Sequence, residues 1–407
     1  MKITILSDSP FLQTGYSNQA KLLCRYLRSK GHEIHFLANS YVGKTVDYAK
    51  LDDGTIFDYK IYGEMMHSYF MNSIEEHLKI VRPDIFFILL DTFMLYPALL
   101  TKDLSPAKTI FWFPTDGGGG MPRGCEQILK KVDLPVAMSQ FGQKQVKDYY
   151  NINTLHIPHG TEPDKFFRLS EQERTVLRQR VGLNDKFVIG VVARNQPRKM
   201  LDRTFKTMYY IKDKIPNAIL FLHMDPRDAS ASFDMYSIIQ KYNLENRVIF
   251  SGMKAHDGFG WNQMNEVYNL MDCMFLSTSG EGFGIPIIEA MACEVPVICT
   301  DYTTTPELII NNNAGLGINL SGVETIDMFK ENSKDYDFKV FNGTLLGSWE
   351  VERGLMDIKD AANKIEYLSK NPDKCKEMGK NGRKAIEIYY DFDKHIGPAF
   401  EKLMEGK

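Results

Sequence analysis

The segment STSGEGFGIPIIEAMACEVPVICT (277–300) holds the residue types best suited to chemistry in this 407-residue chain. An apolar run ending at Ser277–Thr278 predicts a β-strand. Gly280, Gly282 and Gly284 follow, and Pro286 stands where a helix should begin, a position that needs no N–H donor. Glu281 lies in the loop and Glu289 lies eight residues on, inside that helix. This spacing can line two carboxylates along a crevice at the carboxyl end of a sheet, where open α/β sheets take ligands. Carboxylates accept hydrogen bonds from sugar and ribose hydroxyls. The N–H groups of a helix N-terminus suit a diphosphate, and loop glycines let the backbone come close to it. An ordinary strand–loop–helix connection with two solvent-facing glutamates would show the same pattern. On either view, a carboxylate in that loop is expected to be solvent-accessible without ligand.

Two other stretches have residues that could serve the same ligand. In VVARNQPRKM (191–200), Arg194 and Lys199 follow a strand end. Two cations there can hold a diphosphate and neutralise the charge that builds as a sugar leaves it; solvated basic residues are the plainer reading. In SDSPFLQTGYSNQA (7–20), Gly15 precedes a helix expected to be capped by Ser17 and closed by Gly31. Its N-terminus could meet a phosphate, or it could be a simple βα turn. His159 and His223 sit at strand ends and read as hydrogen-bonded scaffold.

Positioning these groups requires two α/β runs. In the first, KITILSD, EIHFLAN, IFFILLD, KTIFWFP and PVAMS read as strands alternating with helical or turn segments. The pattern restarts at KFVIGVVAR and continues through AILFLHM, RVIFSG, CMFLSTS and VPVICT. Strands apolar on both faces and alternating with helices predict parallel sheets covered on both sides. The link IPHGTEPDKF (157–166) sets a boundary. The division expected is 1–162 and 163–387, with a final helical segment near 388–407 crossing back to the first domain. Charged helices with a break at Asn371–Pro372 precede that segment, and the stretch 320–350 receives no assignment.

Composition narrows the function classes. Net charge is −3, and the first 160 residues hold 17 Lys+Arg against 16 Asp+Glu, so no basic field points to nucleic acid or an anionic bilayer. The six cysteines form no CxxC pair and read as buried, reduced thiols. No apolar stretch reaches the ~18 residues needed to span a membrane. A cytoplasmic protein is expected, with peripheral membrane contact left open. The triplets Asp335-Tyr-Asp337 and Asp391-Phe-Asp393 read as surface carboxylates.

Taken together, GEGFGIPIIEAMA with its Glu281–Glu289 spacing, VARNQPRK, IPHGTEPDKF and TDYTTTPELI resemble the retaining glycosyltransferases of family 4, the glycosyl transferases group 1. The resemblance runs from Gly15 to the C-terminal helices. It implies a GT-B fold, with two Rossmann-like domains whose parallel sheets face across a cleft, and transfer of a hexose from a UDP- or GDP-sugar to an acceptor hydroxyl on a glycan, lipid or other compound. It implies that Glu281 meets the donor sugar and Glu289 the ribose. Arg194 and Lys199 would hold the diphosphate, aided by the N–H groups of Phe283, Gly284 and Ile285, and Gly252, Met253 and Lys254 would meet the base. No metal or other cofactor is implied, because the cations do that work. The alternative within the same architecture is a nucleotide-sugar 2-epimerase. The chain departs from the family at Asp116, where a histidine is common; Asp116 is expected to face the donor sugar or acceptor, or else to cap a turn. Glu294, Thr303 and Thr304 stand where the family usually has glycine.

Overall fold

A computed structural model describes the chain apart from residues 52–53, 65–68, 97, 123, 228–232, 254–257, 328–339, 342–343, 346–349 and 407. The chain divides into two compact units. The first holds Met1–His159 and the C-terminal Phe392–Lys407; the second begins at Gly160 and includes Glu352–Asp391.

The first unit contains β1 (Lys2–Asp8), β2 (Glu33–Val42), the small hairpin β3 (Ala49–Lys50) and β4 (Ile56–Phe57), β5 (Lys60–Glu64), β6 (Ile85–Leu89), β7 (Lys108–Phe113), β8 (Leu134–Ala137) and β9 (Leu155–His156). Seven of these form one parallel sheet in the order β5-β2-β1-β6-β7-β8-β9. Every residue of β6 is buried, as a central strand covered on both faces requires. The helix after β1 spans Gly15–Ser29, and its cap differs from the expectation. Thr14, in extended geometry, accepts the N–H of Ser17, while the Ser17 hydroxyl donates to the Leu12 carbonyl. Thr14 wins because its backbone still lies outside the helix, which an N-cap must.

The C-terminal helix Gly397–Met404 returns to this first unit. Phe400 sets its ring edge-on to Trp112 at 4.7 Å and to Phe87 at 5.2 Å. Burying one such ring contributes about 1.5–3 kcal/mol, which ties the chain end down. The indole N–H of Trp112 donates to the Ile157 carbonyl at 2.8 Å, so this large buried ring leaves its polar atom satisfied. Asp391, taken from sequence for a surface carboxylate, is buried where Thr161 and Asp391 form a bridge in the second unit; burial follows because the chain is already packed there. Asp393 is half exposed and pairs with Arg25. Asp335 and Asp337 lie outside the described residues.

The second unit contains β10 (Phe187–Val192), β11 (Ala218–His223), β12 (Val248–Phe250), β13 (Cys273–Leu276), β14 (Val297–Thr300) and β15 (Gly315–Ile318). They form a six-stranded parallel sheet in the order β12-β11-β10-β13-β14-β15. Gly190 lets β10 approach Met271, whose sulfur lies 2.1 Å from where a Cβ would stand. β16 (Leu320–Asp327) pairs with the strand Glu350–Met356, so both ends of the stretch left unassigned from sequence are strands. Helices Ile358–Lys370 and Pro372–Ala385 follow, separated at Asn371 because the residue before a proline avoids helical backbone. Five cysteines are buried and Cys375 is half-buried; all six are free thiols. Among the described residues, no helix is long and apolar enough to cross a membrane.

Candidate functional site

Each sheet presents a polar cluster at the carboxyl ends of its strands. In the second unit the cluster begins with the turn Pro197–Lys199 after β10, and with the loop from Ser277 to Gly284 after β13. The two segments are tied together by backbone. The Ser279 N–H and hydroxyl both donate to the Arg198 carbonyl, at 2.7 and 3.0 Å. The Ser277 hydroxyl donates to the Lys199 carbonyl at 2.7 Å. These bonds set where the side chains of residues 198 and 199 can reach.

Those side chains converge on Glu281. Lys199 Nζ lies 2.5 Å from Glu281 Oε1, and Arg198 Nη1 lies 2.9 Å from Oε2 and 2.9 Å from the Gly280 carbonyl. Glu281 is only 6% exposed, which corrects the expectation of a solvent-accessible loop carboxylate. Two cations make that burial tolerable, because a buried carboxylate survives only when paired. Burial alone pushes its carboxyl up, but Lys199 and Arg198 outweigh that and hold it at about 2. The Lys199 ammonium is pushed down by burial and by Arg198, with Glu281 opposing. The arginine that meets Glu281 is therefore Arg198. Arg194, expected from sequence to hold a diphosphate with Lys199, is exposed at the strand end. The turn beginning at Pro197 carries the chain to Glu281 at Arg198 and Lys199.

The loop enters its helix through Gly284, whose φ of +103° suits glycine, and the helix spans Ile285–Ala292 with Pro286 in its first turn. Phe283 is buried with its ring edge-on to Tyr390, and Ile285 is half-buried. Glu289 is buried on this helix and accepts the Tyr268 hydroxyl at 2.6 Å. Burial raises its carboxyl to about 7, with the tyrosine bond pulling weakly the other way. Gly252 follows β12 with a left-handed φ of +79°, and the Met253 N–H donates to the Ser251 hydroxyl. Lys254 lies outside the described residues.

Two departures from the family pattern explain themselves here. Thr303 has φ +51°, a backbone glycine adopts more easily, and its hydroxyl accepts the Glu281 N–H at 2.9 Å. The Thr304 hydroxyl donates to the Phe283 carbonyl at 2.7 Å. The threonines supply side-chain bonds that glycines lack, and both bonds fix the Glu281 loop. Sequence reasoning flagged both threonines only as departures from glycine, without these bonds, and missed Arg198 and Tyr268. Of these last two, Arg198 left a trace, through its adjacency to Lys199.

Gly15 and Asp116 belong to the first unit. Gly15 opens the helix Gly15–Ser29, and Asp116 stands half-buried beyond the end of β7. The Tyr16 hydroxyl donates to Asp91 at 2.6 Å, and Asp8 accepts from Thr14 at 2.7 Å and from Asn39 at 3.0 Å. Burial, then Asp91, then Asp116 and Asp8 push the Tyr16 hydroxyl far above its ordinary 10.0. Asp116 thus contributes to a clustered acidic field around Tyr16. His223 and His159 are both neutral, since burial lowers them to about 4 and about 3. Each packs against an aromatic ring, Phe259 and Trp112 respectively.

An arrangement with paired cations, a buried carboxylate and a glycine-led helix start narrows the comparison with known proteins. Residues 173–328 match the family of glycosyl transferases group 1. That glycosyl transferases group 1 segment contains β10 to β15, Arg198, Lys199, Glu281 and Glu289. Mannosylfructose-phosphate synthase from Agrobacterium fabrum is 28% identical over 188 residues, 44% of this chain and 38% of its own length. The chain spans about half the length, or less, of the curated relatives it matches first. Among solved structures, sucrose-phosphate synthase from Thermosynechococcus elongatus superimposes with TM-score 0.74 at 15% identity, covering 100% of this chain and 98% of that one. An Anabaena protein solved in complex with UDP-glucose gives TM-score 0.70 at 13% identity over 100% of both chains. At such identities the likeness is one of fold: two Rossmann-like α/β units, the GT-B fold.

Proposed function

We propose that this chain is a retaining glycosyltransferase that moves a hexose from a UDP- or GDP-sugar to an acceptor hydroxyl. The observation that carries this reading is Glu281 held between Lys199 and Arg198 at the carboxyl ends of β10 and β13. A buried carboxylate able to take sugar hydroxyls stands beside cations able to take a diphosphate, and these are the two ends of one activated sugar. The group 1 match over this segment supports it, and so does the complex with UDP-glucose of the Anabaena neighbour. The named relatives are synthases, which favours transfer over 2-epimerisation.

In this reading Glu281 orients the hexose, Glu289 takes the ribose, and Lys199 with Arg194 and the N–H groups of Phe283, Gly284 and Ile285 holds the diphosphate. The base lies near Gly252 and Met253. The acceptor oxygen attacks the anomeric carbon from the face the diphosphate leaves, the glycosidic C–O bond to phosphate breaks, and the departing phosphate oxygen takes the acceptor's proton. The protein contributes position and electrostatic stabilisation. Asp116 and its tyrosine neighbour serve hydroxyl recognition in the first unit. Activity is expected to survive EDTA; complete loss restored by a divalent ion would overturn the metal-free part.

A melting-temperature screen against nucleotides and nucleotide sugars tests the core of the reading. A ligand present at 100 times its Kd stabilises the fold by about 2.7 kcal/mol, so the correct base and sugar should raise the melting temperature most. No shift with any UDP or GDP compound would sink it. Conversion of the sugar nucleotide to its epimer without acceptor would replace transfer by isomerisation.

A further inference from the structure

Lys199 has two claimants once the donor reading is accepted. Its ammonium sits on Glu281 Oε1, yet it is also a cation available to an incoming diphosphate. Were it the sole partner of Glu281, diphosphate binding would draw it away and leave a buried carboxylate uncompensated, which is strongly unfavourable. The neighbouring residue changes this balance. Arg198 reaches the other carboxylate oxygen and, with the same Nη1, the Gly280 carbonyl. Its own carbonyl accepts two bonds from Ser279. Arg198 is thus tied to the Glu281 loop through both side chain and backbone, whereas the side chain of Lys199 meets only the carboxylate of that loop.

We propose that Arg198 is a positioning residue: it remains on Glu281 as the resident counterion while a nucleotide diphosphate takes a share of Lys199. This rests on the donor reading, and it goes further by giving the two adjacent cations different duties. Arginine suits the resident part because its guanidinium stays charged at every working pH and its planar fork has fixed directions. Lysine suits the mobile part, being a single charge with three donors on a flexible stem. The ionisable groups facing Glu281 are Lys199 and Arg198 from the turn and the Cys299 thiol from β14, with Thr278 and Thr303 adding hydroxyls. The cations hold Glu281 ionised, so removing Arg198 should let its carboxyl rise, most of all when a diphosphate competes for Lys199.

The test compares wild type with Arg198→Met, Arg198→Lys and Lys199→Met. The Glu281 carboxyl is followed by carbon NMR of glutamate-labelled protein, with the signal identified by its loss in Glu281→Gln. Affinity for UDP and GDP is measured by calorimetry. Arg198→Met should keep nucleotide affinity within about threefold, whereas Lys199→Met should lose about tenfold or more. The Glu281 carboxyl should rise by about one pH unit or more in nucleotide-bound Arg198→Met, and Arg198→Lys should bring it back toward wild type. Where turnover is measured, Arg198→Met should lower kcat more than it raises donor KM. An affinity loss in Arg198→Met equal to that in Lys199→Met would make Arg198 a phosphate ligand and overturn the proposal. An unmoved carboxyl in folded Arg198→Met would overturn it too, and Arg198→Gln, which also removes the charge, supplies the same readout if the methionine variant does not fold. If wild type bound no nucleotide, the donor reading would fail on that result alone. The carboxyl titration of the free protein would then decide separately whether Arg198 is the counterion of Glu281.

Discussion

The two sheets end in polar clusters of opposite design. In the second unit the buried carboxylate Glu281 is compensated by full positive charges from Lys199 and Arg198. In the first unit Asp91 and Asp8 are compensated by neutral donors, namely Tyr16, Thr14 and Asn39, and Asp116 adds to the same acidic field. Charged compensation suits a site that must accept an anion, because the cations are already there and already placed. Neutral compensation leaves carboxylate oxygens that suit hydroxyl donors. The same architecture, a parallel sheet with chemistry at its carboxyl end, thus carries two different electrostatic surfaces, chosen by a few side chains.

The sharpest way to break this contrast is Glu281→Gln. It keeps shape and removes the charge that Lys199 and Arg198 neutralise. Turnover should fall by about a thousandfold if the carboxylate is needed only at the reacting sugar. Breaking a buried ion pair also costs about 3–5 kcal/mol, so the second unit should melt at lower temperature. The pH sign is fixed by the depressed carboxyl. Its contribution is present above its ordinary 4.5 and is lost as pH falls toward about 2, so an acid titration should show that loss in wild type and not in the glutamine variant. Wild-type turnover in Glu281→Gln would end the comparison.

Glu289 tests the same unit in the opposite sense. Burial lifts its carboxyl from 4.5 to about 7, so the folded state holds a proton that the unfolded chain has released. Stability attributable to this group is then full below pH 4.5 and falls as pH rises to 7, by up to about 3 kcal/mol. Glu289→Gln should abolish that fall, making the variant relatively more stable at pH 8 than at pH 5. Calorimetric melts across that range check the slope; an unchanged slope would place Glu289 in a wetter setting than the structure gives it.

How much of this was legible in the sequence depends on what each residue answers to. Strands such as β6 and β7 answer to continuous apolar runs, and Gly284 with Pro286 answers to local backbone rules, so both could be read directly. The carboxylates at 281 and 289 were legible as chemistry and only half legible as environment. Nothing local says that Glu281 is buried, because burial comes from the turn at Pro197, some eighty residues away in sequence. The contact of Arg198 with Glu281 was hidden for the same reason. Tyr268 is a common residue in an unremarkable context and Thr303 stood out only as a replaced glycine; three-dimensional packing brings them to Glu289 and Glu281. Tyr16 and Asp91 likewise meet across 75 positions of sequence.

Smaller effects separate strain from hydrogen bonding at Thr303. Thr303→Ala keeps the left-handed backbone and removes the acceptor of the Glu281 N–H, at a cost of about 1–3 kcal/mol. Thr303→Gly loses the same bond but relieves about 1 kcal/mol of conformational strain. The glycine variant should therefore be the more stable of the two by chemical denaturation. The reverse order would mean that the threonine backbone is unstrained and that the hydroxyl alone accounts for the residue.

The smallest effect should come from Tyr16→Phe in the first unit, and it carries the contrast to its other side. The substitution removes one donor from Asp91 at a half-buried position, so stability should drop by about 1 kcal/mol. Because burial, and then the surrounding carboxylates, hold the Tyr16 proton well past pH 10, wild type should also lose stability in strong alkali through this group, and the phenylalanine variant should not. Function gives the stricter comparison. If the acidic cluster serves hydroxyl-bearing acceptors, Tyr16→Phe and Asp116→Asn should raise acceptor KM while leaving nucleotide affinity within about twofold, since neither residue belongs to the cation-rich unit. A loss of nucleotide affinity in either variant, measured by calorimetry without acceptor, would show that the two clusters serve the same ligand, and that the difference in their charge compensation answers to something other than a division between donor and acceptor.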